Sequence, residues 1–126
     1  MVSRMELFKV FQIEAAHRLP NVPPGHKCER LHGHSFRIEL HVEGPVDEAI
    51  GWVMDFADLG RVFAPIHDQL DHRCLNEIEG LENPTSENLA RWIWSRLEPD
   101  LPELDHIVIS ETCRSGCIYR GEDHGK

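Results

Sequence analysis

Alternating apolar and polar residues predict two strands in the first third of the chain. Within residues 7–17, every second position from Phe11 onward is apolar or histidine: Phe11, Ile13, Ala15 and His17. Successive side chains of a strand point to opposite sides, so this spacing is typical of a strand with one buried face. A second strand starts at His32 and stops at Gly44-Pro45, and one of its faces consists of His32, His34, Phe36, Ile38, Leu40 and Val42. In each strand, histidine lies at one end of the apolar face.

Two later segments have the spacing of amphipathic helices. The first follows the extended run GWVMDF, with Asp55 as its N-cap and apolar residues at Leu59, Val62, Phe63, Ile66 and Leu70. Pro65 lies inside it, and because an internal proline removes a hydrogen bond at a cost of about 3 kcal/mol, we expect a kink or an early end there. The second helix follows Thr85 or Ser86 as its cap, and it ends before Pro99 after stacking Leu89, Ile93 and Leu97 one turn apart.

The last third of the chain predicts a β-hairpin. Residues 106–113 read HIVISETC, a run rich in β-branched residues, and Arg114-Ser115-Gly116 offer a turn into the run CIYRG. The last five residues, EDHGK, are expected to fray. The order ββααββ predicts one α+β domain over residues 1–126 with an antiparallel sheet.

Composition narrows the class of protein. The chain has 126 residues, a mass of 14.5 kDa and 40% hydrophobic residues, which suits one domain with its own core. It contains no run of the roughly 20 apolar residues that a membrane span needs, and its N-terminus does not resemble a secretory signal, so we expect a cytoplasmic protein. With 13 Lys and Arg against 22 Asp and Glu, the net charge of -9 argues against a nucleic-acid partner.

Cysteine and histidine supply the candidate chemistry. The four cysteines are irregularly spaced, and in a chain without a secretion signal we expect free thiols rather than disulfides. Cys113 and Cys117 flank a turn, but no second pair accompanies them, so they are assigned to packing. Nine histidines are a rich supply of the commonest metal ligand.

His17, His32 and His34 are the candidate metal ligands. His32 and His34 are two positions apart, so both imidazoles can reach one point. We expect antiparallel pairing to leave the histidine ends of the two strands at opposite ends of a tight hairpin, so that the long loop between them must bring His17 back. Three imidazoles favour zinc and leave a fourth position open for water or substrate. The alternatives are ordinary core or loop histidines, or a closed structural site completed by Cys28.

Cys28 has a cationic setting in an otherwise acidic protein. His26, Lys27 and Arg30 flank it, and nearby cations favour the reactive thiolate. Together with Arg18, they could attract an anionic substrate that the overall charge repels. A solvated loop is the alternative interpretation.

Three further polar residues are candidates for the same chemistry. Glu111 shares the phase of Ile107 and Ile109, so its carboxylate falls on an apolar face and needs an internal arginine or the N–H edge of a ligand as its partner. Asp71 and His72 lie between the helices and could relay protons to a thiol. Since adjacent residues do not easily bond each other in an extended segment, a plain acidic loop is the default interpretation of the pair.

Taken together, these motifs resemble those of the 6-pyruvoyl-tetrahydropterin synthase superfamily, and in particular its queuosine branch. The resemblance covers nearly the whole chain, in the runs IEAAHRLP, GHKCERLHGHSF, GWVMDFADL, LDHRCLN, LENPTSENLARWIW and ETCRSGCIYRGE. The branch that makes a pyruvoyl product tends to have five residues between the cysteine and HGH, whereas the carboxy branch has three. Here the residues ERL give three.

The resemblance implies a role for each of these side chains. It implies one zinc ion per subunit on His17, His32 and His34, Cys28 as the proton-abstracting thiolate, Asp71 and His72 as its relay, and Glu111 as the anchor for a pterin ring. It also implies the tunnelling fold, in which trimers close a barrel and two trimers form a homohexamer with sites between subunits. The resemblance does not show which residues bind the triphosphate group of the substrate, and we expect them to be His26, Lys27 and Arg30 of the cationic cluster.

The implied activity is a zinc-dependent lyase. Such an enzyme converts 7,8-dihydroneopterin triphosphate to 6-carboxy-5,6,7,8-tetrahydropterin, acetaldehyde and triphosphate in queuosine biosynthesis, without a nicotinamide or flavin. Two alternatives are a synthase that stops at the pyruvoyl product and a non-catalytic module stabilised by zinc.

Overall fold

A five-stranded sheet with two helices on one face forms the molecule. The computed structural model describes residues 2–126. The strands are β1 (Arg4–His17), β2 (His32–Pro45), β3 (Arg73–Cys74), β4 (Leu104–Thr112) and β5 (Ser115–Tyr119), and the helices are α1 (Phe56–Leu70) and α2 (Ser86–Leu97). The sheet order is β3-β1-β2-β4-β5. This is the predicted α+β class, in which all neighbouring long strands pair antiparallel.

The two long N-terminal strands pair along their whole length, with His17 opposite His32 and Arg4 opposite Pro45. The expectation that their histidine ends lie at opposite ends of the hairpin is therefore wrong. In an antiparallel pair the end of the first strand lies beside the start of the second. The register brings the histidines together, and the loop of residues 18–31 has only to connect them.

Helix α1 begins as predicted but continues past its proline. Asp55 accepts a hydrogen bond from the Ala57 N–H at 2.9 Å, and the helix runs on to Leu70, so the expected early end at Pro65 is wrong. Pro65 and Arg61, the residue whose carbonyl loses its partner, both lie on the exposed side of the helix. Water can satisfy that carbonyl, while Leu59, Phe63, Ile66 and Leu70 stay buried against the sheet.

Helix α2 has the bounds that the sequence predicts. Thr85 caps the helix by accepting from the Asn88 N–H at 3.1 Å.

The turn into β5 consists of Cys113 and Arg114, one residue earlier than expected. The last residues are not frayed, because Glu122–His124 form a 3-10 turn. The His124 ring bonds the Tyr119 hydroxyl at 2.7 Å, and the tail packs beside the buried Trp94.

The helices cover only one face of the sheet. Apolar residues on that face form the core with side chains of both helices, including Phe36, Ile38, Leu89 and Trp94. The opposite face carries apolar side chains that remain exposed: Phe8 at 54%, Val10 at 40% and Ile118 at 59%. Neither helix combines the length and hydrophobicity needed to cross a membrane.

Candidate metal centre and active site

Three imidazoles converge at the paired ends of β1 and β2. His17 is buried, His32 and His34 are half-buried, and one ring nitrogen of each lies within 4.8 Å of those of the other two. Nε2 of His17 lies 3.1 Å from Nε2 of His34. The structure thus brings together all three residues that the sequence predicted as ligands.

Backbone carbonyls orient all three rings and select the same tautomer for each. Nδ1 of His17 lies 2.8 Å from the Pro84 carbonyl, that of His32 lies 2.8 Å from the Arg30 carbonyl, and that of His34 lies 3.0 Å from the Ser35 carbonyl. A carbonyl oxygen only accepts, so each Nδ1 carries the proton and donates. In this tautomer the lone pair of an imidazole is on Nε2, which is the arrangement that metal-binding histidines use.

The site fits a zinc ion by its donor set and its spacing. Two nitrogens bound tetrahedrally at about 2.0–2.1 Å lie about 3.3–3.4 Å apart, close to the 3.1 Å between the His17 and His34 nitrogens. Burial lowers the pKa of His17, which keeps that ring in the neutral form that binds metal. Without a cation, the facing lone pairs would repel each other.

Cys28 lies beside the histidines without joining them. It sits in a 3-10 turn (Lys27–Glu29), where its N–H donates to the His26 ring at 3.1 Å. A cavity of about 420 Å³ is lined by Lys27, Cys28, His32, His34, Glu111 and Thr112. The Cys28 sulfur is not part of the close group of ligand atoms, which favours the open site over a closed site of one cysteine and three histidines.

Glu111 enters the same cavity but not as the sequence predicted. Its side chain is 35% exposed rather than buried, because it lies at the end of β4, beyond Ile107 and Ile109. Its protein partners are the Ser86 hydroxyl, which donates at 2.5 Å, and His34, whose Nε2 lies 3.8 Å away. The expected internal arginine is absent among these partners, and the exposed carboxylate can still accept from a ligand.

Asp71 and His72 do bond each other, against the default interpretation. His72 has a positive φ of 59°, so the segment is not extended, and its Nδ1 donates to Asp71 at 2.8 Å. Asp71 also accepts the Glu14 N–H at 2.8 Å. These two bonds, the backbone one foremost, hold the pKa of the Asp71 carboxyl below its ordinary value. The result is an ionised carboxylate that orients an imidazole.

This pair lies apart from the Cys28 cavity. His72 is 77% exposed and lines a second cavity, of about 520 Å³, together with Gly33, His34 and Cys74. Cys28 is not among the residues that line it. Within one chain, then, the predicted relay and the predicted thiol occupy different cavities.

The other predicted residues divide between the cavity and the open surface. Lys27 lines the cavity of Cys28, whereas His26 and Arg30 are exposed residues outside its lining.

The cysteines are free among the described residues, as expected. Cys117 packs against the core, and burial raises the pKa of its thiol, but Cys113 is exposed, so its assignment to packing is wrong.

Sequence reasoning missed the residues that hold the site in shape. Asn76 accepts from the Arg18 N–H and donates to the Arg18 carbonyl, both at 2.9 Å, directly after the candidate ligand His17. Ser86 was identified only as a possible helix cap, yet its hydroxyl holds Glu111. These contacts join segments that are distant in sequence, so no local pattern could reveal them.

Comparisons with known proteins agree with this geometry. A family model described as 6-pyruvoyl tetrahydropterin synthase matches residues 6–122. The chain is 42% identical over 119 residues to a 6-carboxy-5,6,7,8-tetrahydropterin synthase of Synechocystis, covering 90% of this chain and 91% of that protein. It is 47% identical over 74 residues to a dihydroneopterin monophosphate aldolase of Pyrococcus furiosus, covering 59% and 61%. The structure of a Caenorhabditis elegans 6-pyruvoyl tetrahydropterin synthase superposes with a TM-score of 0.87 at 27% identity, covering 95% and 97%.

Proposed function

The chain belongs to the 6-pyruvoyl tetrahydropterin synthase family, and from that premise we propose that it is a 6-carboxy-5,6,7,8-tetrahydropterin synthase of queuosine biosynthesis. The reaction takes 7,8-dihydroneopterin triphosphate and water to 6-carboxy-5,6,7,8-tetrahydropterin, acetaldehyde and triphosphate. The observation that carries the proposal is the 42% identity, over nine-tenths of the chain, to a relative of that name. The three-residue spacing between Cys28 and HGH supports the same branch.

His17, His32 and His34 would hold one zinc ion in each subunit. When bound, zinc supplies a Lewis acid that polarises the hydroxyl oxygens of the substrate. The protein contributes three neutral imidazoles, each oriented by a backbone carbonyl, and a fourth position that remains open.

Cys28 is the proposed general base. Cys28 lines the same cavity as Lys27, His32 and His34, where a C–H group of the bound substrate would lie once its hydroxyls are held. As a thiolate it accepts that proton.

His72 and Asp71 are the proposed proton relay. Asp71 keeps a proton on Nδ1 of His72, which leaves Nε2 free to accept a proton from the substrate or to deliver one to it. Because His72 is 77% exposed and lies outside the Cys28 cavity, we assign this pair to the site of a neighbouring subunit. The assembly we propose is a homohexamer, a dimer of trimers, in the cytoplasm.

Glu111 is the proposed anchor for the pterin ring. A pterin presents adjacent ring N–H and amino groups, which suit a carboxylate that accepts two parallel hydrogen bonds. Ser86 fixes one carboxylate oxygen at 2.5 Å, so the carboxylate is held in one orientation before the ring arrives. His26, Lys27 and Arg30 would face the triphosphate.

The test is to measure both released products. Purified protein loaded with zinc is incubated with 7,8-dihydroneopterin triphosphate, acetaldehyde is followed by its reduction with alcohol dehydrogenase and NADH, and triphosphate is quantified in parallel. We expect acetaldehyde and triphosphate in equal amounts, together with a pterin product of the mass of the carboxy compound. A Glu111→Gln variant should raise KM for the pterin, while Glu103→Gln, on an exposed residue outside the site, should not.

A 6-pyruvoyl synthase is the second candidate, favoured by the description of the family model and by the superposition on the Caenorhabditis elegans enzyme. It would release triphosphate without acetaldehyde. The Pyrococcus relative adds a check with the monophosphate, since an aldolase would cleave that substrate. If none of these substrates is turned over while zinc binding is intact, the catalytic proposal fails and a non-catalytic zinc module remains.

A further inference from the structure

A second group of potential metal ligands lies on the uncovered face of the sheet. It consists of Glu6 on β1 and of Asp105 and His106 on β4, with one ligand atom of each within 4.8 Å of the others. Nδ1 of His106 lies 2.7 Å from an Asp105 oxygen and 3.6 Å from a Glu6 oxygen. The group has no residue in common with the three-histidine site.

A β-bulge is what brings these side chains to one side. His41 of β2 pairs with His106, but the next residue, Val42, pairs with Leu104, so Asp105 is an extra residue in the ladder. In a regular strand, neighbouring side chains point to opposite faces, and Asp105 could not reach the His106 ring. A bulge redirects one side chain, which is how strands often build sites.

Neighbouring residues hold the imidazole in place. The His106 side chain is 10% exposed, and its ring stacks on that of His41 at 4.0 Å with an interplanar angle of 19°. His41 is itself fixed by a Glu39 oxygen 2.8 Å from its Nε2. Packing of this kind orients a ligand before the metal arrives.

The donor set suits a divalent transition metal rather than a simple ion pair. One imidazole nitrogen and two carboxylate oxygens are ligands that zinc accepts at about 2.0–2.2 Å. Two carboxylates surround the ring, whereas a single one would suffice to pair with a protonated histidine. Arg120 also forms an ion pair with Asp105, with its guanidinium nitrogen 3.7 Å from the carboxylate oxygen, longer than a hydrogen bond.

We propose that Glu6, Asp105 and His106 form a second site for a divalent transition metal, separate from the three-histidine site. The ion takes the place of the proton on Nδ1 of His106 and ties β1 to β4 across the intervening β2. Its coordination is completed by water, which can reach the carboxylates of Glu6 and Asp105, 54% and 35% exposed.

The test counts zinc ions per subunit. The full-length protein is stripped with a chelator, dialysed against buffered Zn²⁺, and analysed for bound metal. We expect two ions per subunit for the unchanged protein and one for His106→Ala. His17→Ala should also bind one, and the double variant none. His67→Ala changes a histidine of helix α1 that belongs to neither group, and it should still bind two.

Cobalt gives a second measurement that does not depend on the count alone. Co²⁺ bound at the site of Glu6, Asp105 and His106 should give visible absorption bands in the His17→Ala variant, and Glu6→Gln in that background should weaken Co²⁺ binding about tenfold. Circular dichroism spectra confirm that each variant folds. A single zinc ion in the unchanged protein, or two ions retained in folded His106→Ala, would overturn the proposal.

Discussion

At the scale of single residues, the position of the Cys28 sulfur distinguishes a catalytic metal site from a structural one. It shares a cavity with His32 and His34 but stands outside the close group of ligand atoms. Replacing Cys28 by alanine should therefore leave one zinc ion on the three histidines. Turnover should fall by about 10²–10⁴-fold, the usual contribution of a general base. Metal analysis and the acetaldehyde assay on the same preparation measure the two effects.

The control for Cys28 is the exposed thiol Cys113, in the turn before β5. It lies outside the lining of the Cys28 cavity, so Cys113→Ala should keep both zinc and activity. Loss of zinc from Cys28→Ala alone would mean that the sulfur is a fourth ligand and that the site is closed.

Asn76 supports the proposed ligand His17 through the backbone. Its amide makes two hydrogen bonds to Arg18 that fix the backbone directly after His17. Without them, His17 loses part of its orientation, so Asn76→Ala should weaken zinc binding by roughly 10-fold, the lower end of what removing a supporting contact costs. A competition titration with a chelating dye measures the affinity. Asn83→Ala is the control, because Asn83 bonds Asn88 with its backbone carbonyl.

The Asp71 carboxylate should make stability depend on acid pH. Its folded pKa lies below the unfolded value of about 3.9, so its contribution is complete above that value and disappears as the pH falls through the folded pKa. Urea unfolding of wild type and Asp71→Asn, compared from about pH 7 to about pH 3, should show a gap that narrows on acidification. A difference in the free energy of unfolding that stays constant with pH would contradict the assignment. The control is Asp68→Asn, at an exposed residue, for which we expect no difference that narrows on acidification.

Sequence patterns identified these side chains but not their partners. The phase of β1 and β2 was enough to select His17, His32 and His34, because alternation shows which residues share a face. The bond between Asp71 and His72 was missed, since it depends on a positive φ at a residue that is not glycine. The Ser86 and Asn76 contacts depend on tertiary packing, which a single sequence does not encode locally.

At the scale of elements, the C-terminal turn is the clearest departure from prediction. Gly121 and Gly125 both have a positive φ, of 76° and 81°. A Cβ at Gly121 would overlap the Trp94 indole, whereas one at Gly125 would meet nothing within 4 Å. Alanine substitutions at these two glycines therefore distinguish the cost of backbone strain from the cost of a steric overlap. They also test whether the C-terminal tail is part of the folded structure.

Gly121→Ala should lower the free energy of unfolding by about 3 kcal/mol, the sum of a left-handed backbone and an overpacked contact. Gly125→Ala should cost only about 1 kcal/mol, because it carries the backbone term alone. Urea denaturation with unchanged m-values measures both. Equal and small effects would mean that the tail frays as its composition suggested.

Hydrophobic periodicity predicted the long helices and strands well. Short elements and the effect of a single proline were not predicted. Helix α2 and strands β1, β2 and β4 were found because their apolar residues repeat over several turns or pleats. Strand β3 has only two residues and no period to detect. Pro65 was given too much weight, because its cost is small where water can reach the carbonyl it leaves free.

At the scale of the whole molecule, one chain does not bring the proposed thiol and the proposed relay into one cavity. One face of its sheet leaves Phe8, Val10 and Ile118 exposed, an apolar surface of the kind that partner subunits cover. The relay of Asp71 and His72 lies outside the Cys28 cavity, with His72 77% exposed. Both features fit an assembly in which each site takes its thiol from one subunit and its relay from another.

Mixing two inactive variants tests that arrangement. Cys28→Ala and His72→Ala each remove one half of the proposed site and should each be nearly inactive alone. When equal amounts are unfolded together and refolded, subunits assemble at random, and about a quarter of the sites should combine an intact Cys28 with an intact His72 from another subunit. The mixture should therefore recover about a quarter of the wild-type turnover in the acetaldehyde assay, while each variant refolded alone recovers none. If both residues act within one subunit, the mixture stays as inactive as its components.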